Sequence, residues 1–162
     1  MPRIYTRTGD AGKTRLISGK SVWKDNIVLE VCGSIDELNS WLGLVTGLLM
    51  KSTLTRKRKI WFSQFLQTIQ NDLFALGCQI ASHQDKKHRN MPHICQDHIK
   101  AIENMIDSLE EELPPLKQFI LPGGPPAIAS IHLARSICRR TERSLVSFIR
   151  KNPSADTITI QY

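Results

Sequence analysis

Phe119-Ile-Leu-Pro-Gly-Gly-Pro-Pro126 runs directly into Ala127-Ile-Ala-Ser-Ile-His-Leu-Ala-Arg-Ser-Ile-Cys-Arg-Arg-Thr-Glu-Arg143, and the reading of this stretch decides the fold. Pro125 and Pro126 pre-set φ and stand where a helix needs no N–H, while Gly123 and Gly124 permit the sharp turn before them. A helix is predicted from about Ala127 to Arg150. Ile131, Ala134, Cys138, Thr141, Leu145 and Ile149 recur at three- and four-residue steps, the apolar stripe of a packed helix. His132, Arg135, Arg139, Glu142 and Arg143 share a neighbouring face, with Arg140 beside them. Arg and Glu at this spacing also serve plain solvation of a helix. Guanidinium forks, however, match phosphate oxygens, and a carboxylate among them suits a bridging Mg²⁺ or a ribose hydroxyl.

Working outward, three more helices are expected. Val31, Ile35, Leu38, Leu42, Val45 and Leu49 form the stripe of a helix over 28–50. Beside that stripe, Gly33, Asp36, Ser40, Gly43 and Gly47 make a face of small residues carrying one carboxylate, despite about 1 kcal/mol for each interior Gly. Such a face invites close approach by a helix, a subunit or a ligand. The second helix covers 54–82, opening on the basic run Arg56-Lys-Arg-Lys59, read as a solvated start, with Ile60, Trp61, Phe65, Ile69, Leu73, Leu76 and Ile80 inward. His83, His88, His93 and His98 lie five apart in a polar stretch with Pro92, a spacing that denies them one helix face and a helical metal pair. A third helix, 97–113, turns Ile99, Ile102, Ile106 and Leu109 inward and ends at Pro114-Pro115. The segment 156–162 alternates like a strand, but no partner strand is evident, and its residues equally suit the first turns of a helix.

The N-terminal stretch supplies the second half of the chemistry. Thr6-Arg-Thr-Gly-Asp-Ala-Gly-Lys-Thr14, then Arg15, Gly19 and Lys24, reads as a loop that cradles phosphate: glycines for backbone approach, hydroxyls from Thr6, Thr8 and Thr14, and charge from Arg7, Lys13, Arg15 and Lys24. Gly12-Lys13-Thr14 ends like a P-loop. The spacing excludes one, because Arg7 stands where the first glycine is required.

At 162 residues the chain suits one domain, with residues 1–25 as its nucleotide-binding arm. A net charge of +7 favours anionic partners, but aromatics at 6% are poor for base stacking and no basic patch is interleaved with them, so nucleic acid is not expected. Cys32, Cys78, Cys95 and Cys138 form no Cys-x-x-Cys pair and read as free thiols, three of them in apolar helical surroundings. No run is long enough to span a membrane and the start lacks the apolar segment of a signal peptide. The cytoplasm is the expected location.

Three separated motifs together resemble the corrinoid adenosyltransferase family of the propanediol-utilisation type. They are Tyr5-Thr-Arg-Thr-Gly-Asp10 with a later Lys, the helix Gly33-Ser-Ile-Asp-Glu-Leu-Asn-Ser40, and Phe119-Ile-Leu-Pro-Gly-Gly124 with Ala134-Arg-x3-Arg-Arg-x-Glu-Arg143. The resemblance implies an all-α, up-and-down helix bundle assembled as a homotrimer, with sites at the subunit interfaces. It implies that the 5′-deoxyadenosyl group of ATP is transferred to cob(I)alamin, with triphosphate released. By the same resemblance Thr6, Arg7, Thr8, Gly9, Asp10, Gly12, Thr14, Arg15, Lys24, Arg139, Arg140, Glu142 and Arg143 hold ATP, and Glu142 is a possible contact of Mg²⁺.

By residue type alone Phe119, beside Ile120 and Leu121, reads as a core plug; the resemblance instead implies Asp36, Phe119 and Arg135 as the catalytic and corrinoid-binding residues. Asp36 is expected to pair with Arg135 of another subunit. The Phe matching Phe119 occupies the lower face of the corrinoid in the family, displaces the dimethylbenzimidazole ligand and leaves Co(II) four-coordinate, which brings its reduction within reach of a biological reductase. A corrinoid reductase and an adenosylcobalamin-dependent enzyme are the implied partners. Family members continue beyond the position of Tyr162 with a helix beginning Asn-Arg-Leu-Ser-Asp, so the expected bundle lacks its final helix. That leaves a second expectation, a catalytically impaired ATP- or corrinoid-binding carrier of the same fold.

Overall fold

The computed structural model of the chain describes residues 5–83 and 91–162. Its elements are β1 (Lys13–Arg15), β2 (Ser21–Trp23), α1 (Ile27–Met50), α2 (Arg56–Ser82), α3 (Gln96–Glu110), α4 (Pro126–Lys151) and α5 (Ile158–Gln161). The four long helices start and stop within three residues of expectation, for local reasons. Asn26 caps α1 by accepting the Val28 N–H at 3.0 Å, and Thr55 caps α2 through Arg58. Gly124, at φ +112°, makes the turn that only glycine tolerates well, and Pro126 then opens α4. His88 lies outside the described residues, as do Arg3 and Ile4.

The core is built on α1, with α2 and α4 packed antiparallel along it. Cys32 faces Gly77 and Asn39 faces Gln70, so partner numbers fall along α2 as they rise along α1. Asn39 and Gln70 exchange two hydrogen bonds from side-chain amide to backbone carbonyl, Asn39 Nδ2 to Gln70 O at 3.1 Å and Gln70 Nε2 to Asn39 O at 3.0 Å. Across α4, Thr141 donates its buried hydroxyl to Ser34 O at 3.0 Å. Val31, Ile35, Leu73, Leu76, Ile80, Ile137, Leu145 and Phe148 fill the space between. Burying each such side chain contributes about 1.5–3 kcal/mol, which offsets the interior glycines of α1.

Several expectations need correction. Residues 13–23 are not all loop: β1 and β2 form an antiparallel hairpin with Thr14 opposite Val22, too short to produce a readable alternation. The buried stripe of α4 is Ala127, Ser130, Ala134, Ile137, Thr141, Leu145 and Phe148, whereas Ile131 and Cys138 are exposed. Both sets share Ala134, Thr141 and Leu145, and only the position of α1 chooses between them. On α2, Ile60 and Trp61 are exposed, so just the second half of its stripe is core. On α3 only Ile99 is buried and Ile106 is half exposed. The last segment is the short helix α5, with Tyr162 folded back so that its hydroxyl donates to Asp72 at 3.2 Å.

Candidate functional site

The hairpin turns a scattered motif into a compact one. Pairing Lys13 with Trp23 sends the chain back along itself, and Lys24 N donates to Gly12 O at 2.9 Å. The Lys24 side chain therefore lies over the Gly9 turn: a Cβ on Gly9 would stand 3.1 Å from its Nζ. Any larger side chain at position 9 would press the Lys24 ammonium aside by a few tenths of an ångström. Thr6 and Thr8 bring their hydroxyls within 2.8 Å of each other, and Arg7, at φ +59°, lies over the Tyr5 ring. Arg7 is the one described non-glycine residue in the left-handed region, a conformation held where surrounding structure over-determines it. Lys13 stacks on Trp23 at 4.8 Å. Asp10 and Arg15 are exposed and Thr14 is half-buried.

On α4, Arg135, Arg139, Arg140 and Arg143 are exposed and Glu142 half so. Two of the four guanidiniums form ion pairs among the described residues. Arg139 pairs with Glu142 at 2.7 Å, and Arg140 reaches across to Glu37 of α1. Both pairs are in water and hold geometry more than they add stability. Arg140 also lines a cavity of about 210 Å³ with Lys24, Glu30, Gly33, Ser34 and Glu37. One chain thus brings Lys24, at the base of its N-terminal arm, beside Arg140 of its own α4, a juxtaposition that spacing could not foretell. Glu30 and Glu37, on the wall of that cavity, went unnoticed in the sequence because a carboxylate on an exposed helix face carries no signal of its own.

Asp36 and Arg135 are both exposed, and neither has an ion-pair partner among the described residues. The small-residue face of α1 stands open: Gly33, Asp36, Ser40, Gly43 and Gly47 are all exposed, and a Cβ on Gly33 or Gly47 would meet nothing within 4 Å. Nothing described in this chain requires glycine at those two positions. Phe119 is wholly exposed at 105%, with Leu121 at 90% and Leu116 at 79% beside it. That excludes a role for Phe119 in plugging the chain's own core. Among the described residues no three His, Cys, Asp or Glu side chains converge to hold a metal. A larger cavity, about 420 Å³, lies between the hairpin and the ends of α2 and α4, lined by Lys20, Asn26, His83 and Asn152. It contains none of the residues singled out for chemistry, and its size alone does not make it the site.

The N-terminal arm, the arginine-rich helix and the bare Phe119 before it thus belong to one helical bundle. The cobalamin adenosyltransferase family model matches residues 4–162. The corrinoid adenosyltransferase of Citrobacter freundii is 39% identical over 150 residues, covering 93% of this chain and 81% of that one. The Bacillus subtilis corrinoid adenosyltransferase is 35% identical over 160 residues, covering 96% and 77%. Among solved structures, a Phe→His variant of the PduO-type ATP:corrinoid adenosyltransferase from Lactobacillus reuteri, complexed with cobalamin and ATP, superposes with a TM-score of 0.85 at 30% identity, covering 98% of this chain and 82% of that one. An Arg→Lys variant of that enzyme, complexed with ATP, gives 0.79 at 33% identity, covering 97% and 85%. This chain belongs to the cobalamin adenosyltransferase family.

Proposed function

We propose that the protein is an ATP:corrinoid adenosyltransferase, and that the exposure of Phe119 at the foot of the arginine helix is the observation that carries the reading. An apolar ring left entirely in water by its own chain is suited to be covered by a ligand with a broad apolar face, and a corrinoid has one. The reduced corrinoid's cobalt attacks C5′ of ATP, the Co–C bond forms, the C5′–O bond breaks and triphosphate departs. Charge grows on the leaving oxygens, so Lys24, Arg139, Arg143 and the backbone N–H groups of the Gly9 turn act by being in place before the bond breaks. Glu142 would supply at most one carboxylate to Mg²⁺. That suits an ion that takes one or two protein carboxylates and fills its shell with water and substrate phosphates.

The working unit in this reading is a homotrimer. Its support is the open glycine face of α1 together with Asp36 and Arg135, opposite charges with no ion-pair partner among the described residues. Pairing across an interface satisfies both and gives Gly33 and Gly47 a reason. Sedimentation would show a threefold assembly, and a monomer under working conditions would dismiss this part of the proposal. A cytoplasmic setting with a separate reductase belongs to the same reading; no described helix is long and apolar enough to cross a membrane.

The activity is tested by incubating the protein with ATP and chemically reduced cobalamin. The spectrum of a Co–C bond should appear together with triphosphate. Release of phosphate or ADP would instead mark an NTPase. Tight binding of both substrates without Co–C bond formation would mark a carrier.

A further inference from the structure

Away from the arginine helix, α2 and α3 bring Cys95, His98 and Asp72 into line. Cys95 is the N-cap of α3 and His98 sits in its first turn, with Cys95 Sγ 3.0 Å from His98 Nδ1. His98 Nε2 lies 3.7 Å from Asp72 Oδ1 on α2, and Tyr162, following α5, donates its hydroxyl to Asp72 Oδ2 at 3.2 Å. The backbone N–H of Cys95 donates to His98 Nδ1 at 3.2 Å. That nitrogen therefore carries a lone pair, and the ring hydrogen is on Nε2, facing the carboxylate. Tyr162 is itself held protonated by burial and by Asp72, so it remains a donor to that carboxylate. Asp97 lies in the same helical turn, and Cys138 is the further ionisable group felt by Tyr162. The relay is open at one end: Cys95 is half-buried and the His98 side chain is 33% exposed, while Asp72 is 14% exposed behind it.

A nucleophile touching a base, with the base oriented by a third group, is the arrangement that activates a thiol. We propose that Cys95 is a base-assisted nucleophile, a thiol–disulfide exchange site that takes low-molecular-weight disulfides. His98 Nδ1 accepts the thiol proton, giving up its bond from the Cys95 N–H and donating to the new thiolate instead, and Asp72 stabilises the imidazolium so formed. Cys95 sulfur attacks one sulfur of the incoming disulfide; the new S–S bond forms as the old one breaks, and the departing thiolate takes the proton back from His98. One disulfide and one thiol become one mixed disulfide and one thiol, with no other oxidant needed. The helix N-terminus favours negative charge on the sulfur during the exchange. Against one competitor burial gives selectivity, since the Cys32 thiol is pushed up to about 11 and stays protonated. The consequence falls on α3. Adjacent Ile94 is buried, and its N–H donates to Gln79 Oε1 on α2 at 3.0 Å, so a group added at Cys95 lands at the joint that ties α3 to the bundle.

The test is the rate at which the full chain takes up glutathione disulfide, read at each cysteine by peptide mass spectrometry. Cys95 should be modified first. His98→Gln keeps an acceptor for the Cys95 N–H, as Gln does at this position of a capping box, but removes the base. Its Cys95 should react at least about tenfold more slowly at pH 7, below the range usual for a positioned base. The difference should vanish near pH 10, where a free thiol, of pKa about 8.5, ionises without help. Equal rates at pH 7 would overturn the proposal. So would a deficit that persists at pH 10, which would mean altered access, or a Cys95 that stays unmodified while other cysteines react. Circular dichroism of both proteins establishes that the comparison is between folded chains.

Discussion

Replacing Phe119 with Ala separates a ligand contact from a packing contact, because the two readings predict opposite pairs of results. A buried Phe truncated to Ala costs about 3–5 kcal/mol, and Phe148, fully buried in the core, sets that end of the scale. Phe119 exposes its whole side chain, so folding gains nothing from it and the variant should stay within about 0.5 kcal/mol of the parent in urea denaturation. If a corrinoid covers the ring, the burial is realised on binding instead. Covering a Phe side chain contributes about 2 kcal/mol, or roughly thirtyfold in corrinoid affinity. The assay is a pair of measurements on one preparation, the urea midpoint and the corrinoid titration with ATP present. Electron paramagnetic resonance adds a third, since Phe119→Ala should lose the four-coordinate Co(II) signal. Activity should also fall much further with enzymatic reduction than with a strong chemical reductant. A variant that loses more than about 1 kcal/mol of stability while keeping its corrinoid affinity would refute the reasoning.

Other substitutions probe the remaining assignments. Arg139→Ala breaks only an exposed i,i+3 pair with Glu142, worth a few tenths of a kcal/mol, so stability should hold while the ATP concentration needed for half-maximal turnover rises at least about tenfold, the loss of one charged hydrogen bond; an unchanged ATP dependence would remove Arg139 from the site. Asp36→Ala and Arg135→Ala should each weaken the assembly by about 3–5 kcal/mol if they pair across an interface, and strictly additive losses in a double-mutant cycle would show that they do not touch. His83 packs edge-on against Phe148 with ring centroids 5.0 Å apart, and burial lowers its pKa from the ordinary value, partly opposed by Asn152. Below about pH 6.5 the unfolded chain then binds more protons than the folded one, so this contribution is intact above that pH and is lost as pH falls through the depressed value. Thermal unfolding between pH 7.5 and 5 should accordingly show a smaller acid loss in His83→Leu than in the parent, and parallel curves would reject the assignment.

The helices themselves were legible because each writes its own periodicity and its own stops. Asn26, Thr55 and Pro125-Pro126 act on the residues next to them, and a 3.6-residue pattern persists over six or seven turns in α1, α2 and α4. The chemical residue types were legible for the same reason: Arg135, Arg139 and Arg143 share a helix face wherever that helix goes. Which face turns inward was a different matter. Ile131 and Ile137 are equally apolar, and only the place of α1 beside α4 buries the second and leaves the first in water. Local pattern also had no way to bring Lys24 onto Gly9, to set Arg140 against Glu37, or to align Cys95, His98 and Asp72. Those contacts join residues distant in the chain, and their geometry is decided when the hairpin closes and the helices pack, since one side chain's type says nothing of what a remote backbone will carry to it. Phe119 shows the limit most plainly: next to Ile120 and Leu121 it reads as core, and tertiary packing, which supplies it no neighbour to lie against, leaves it bare.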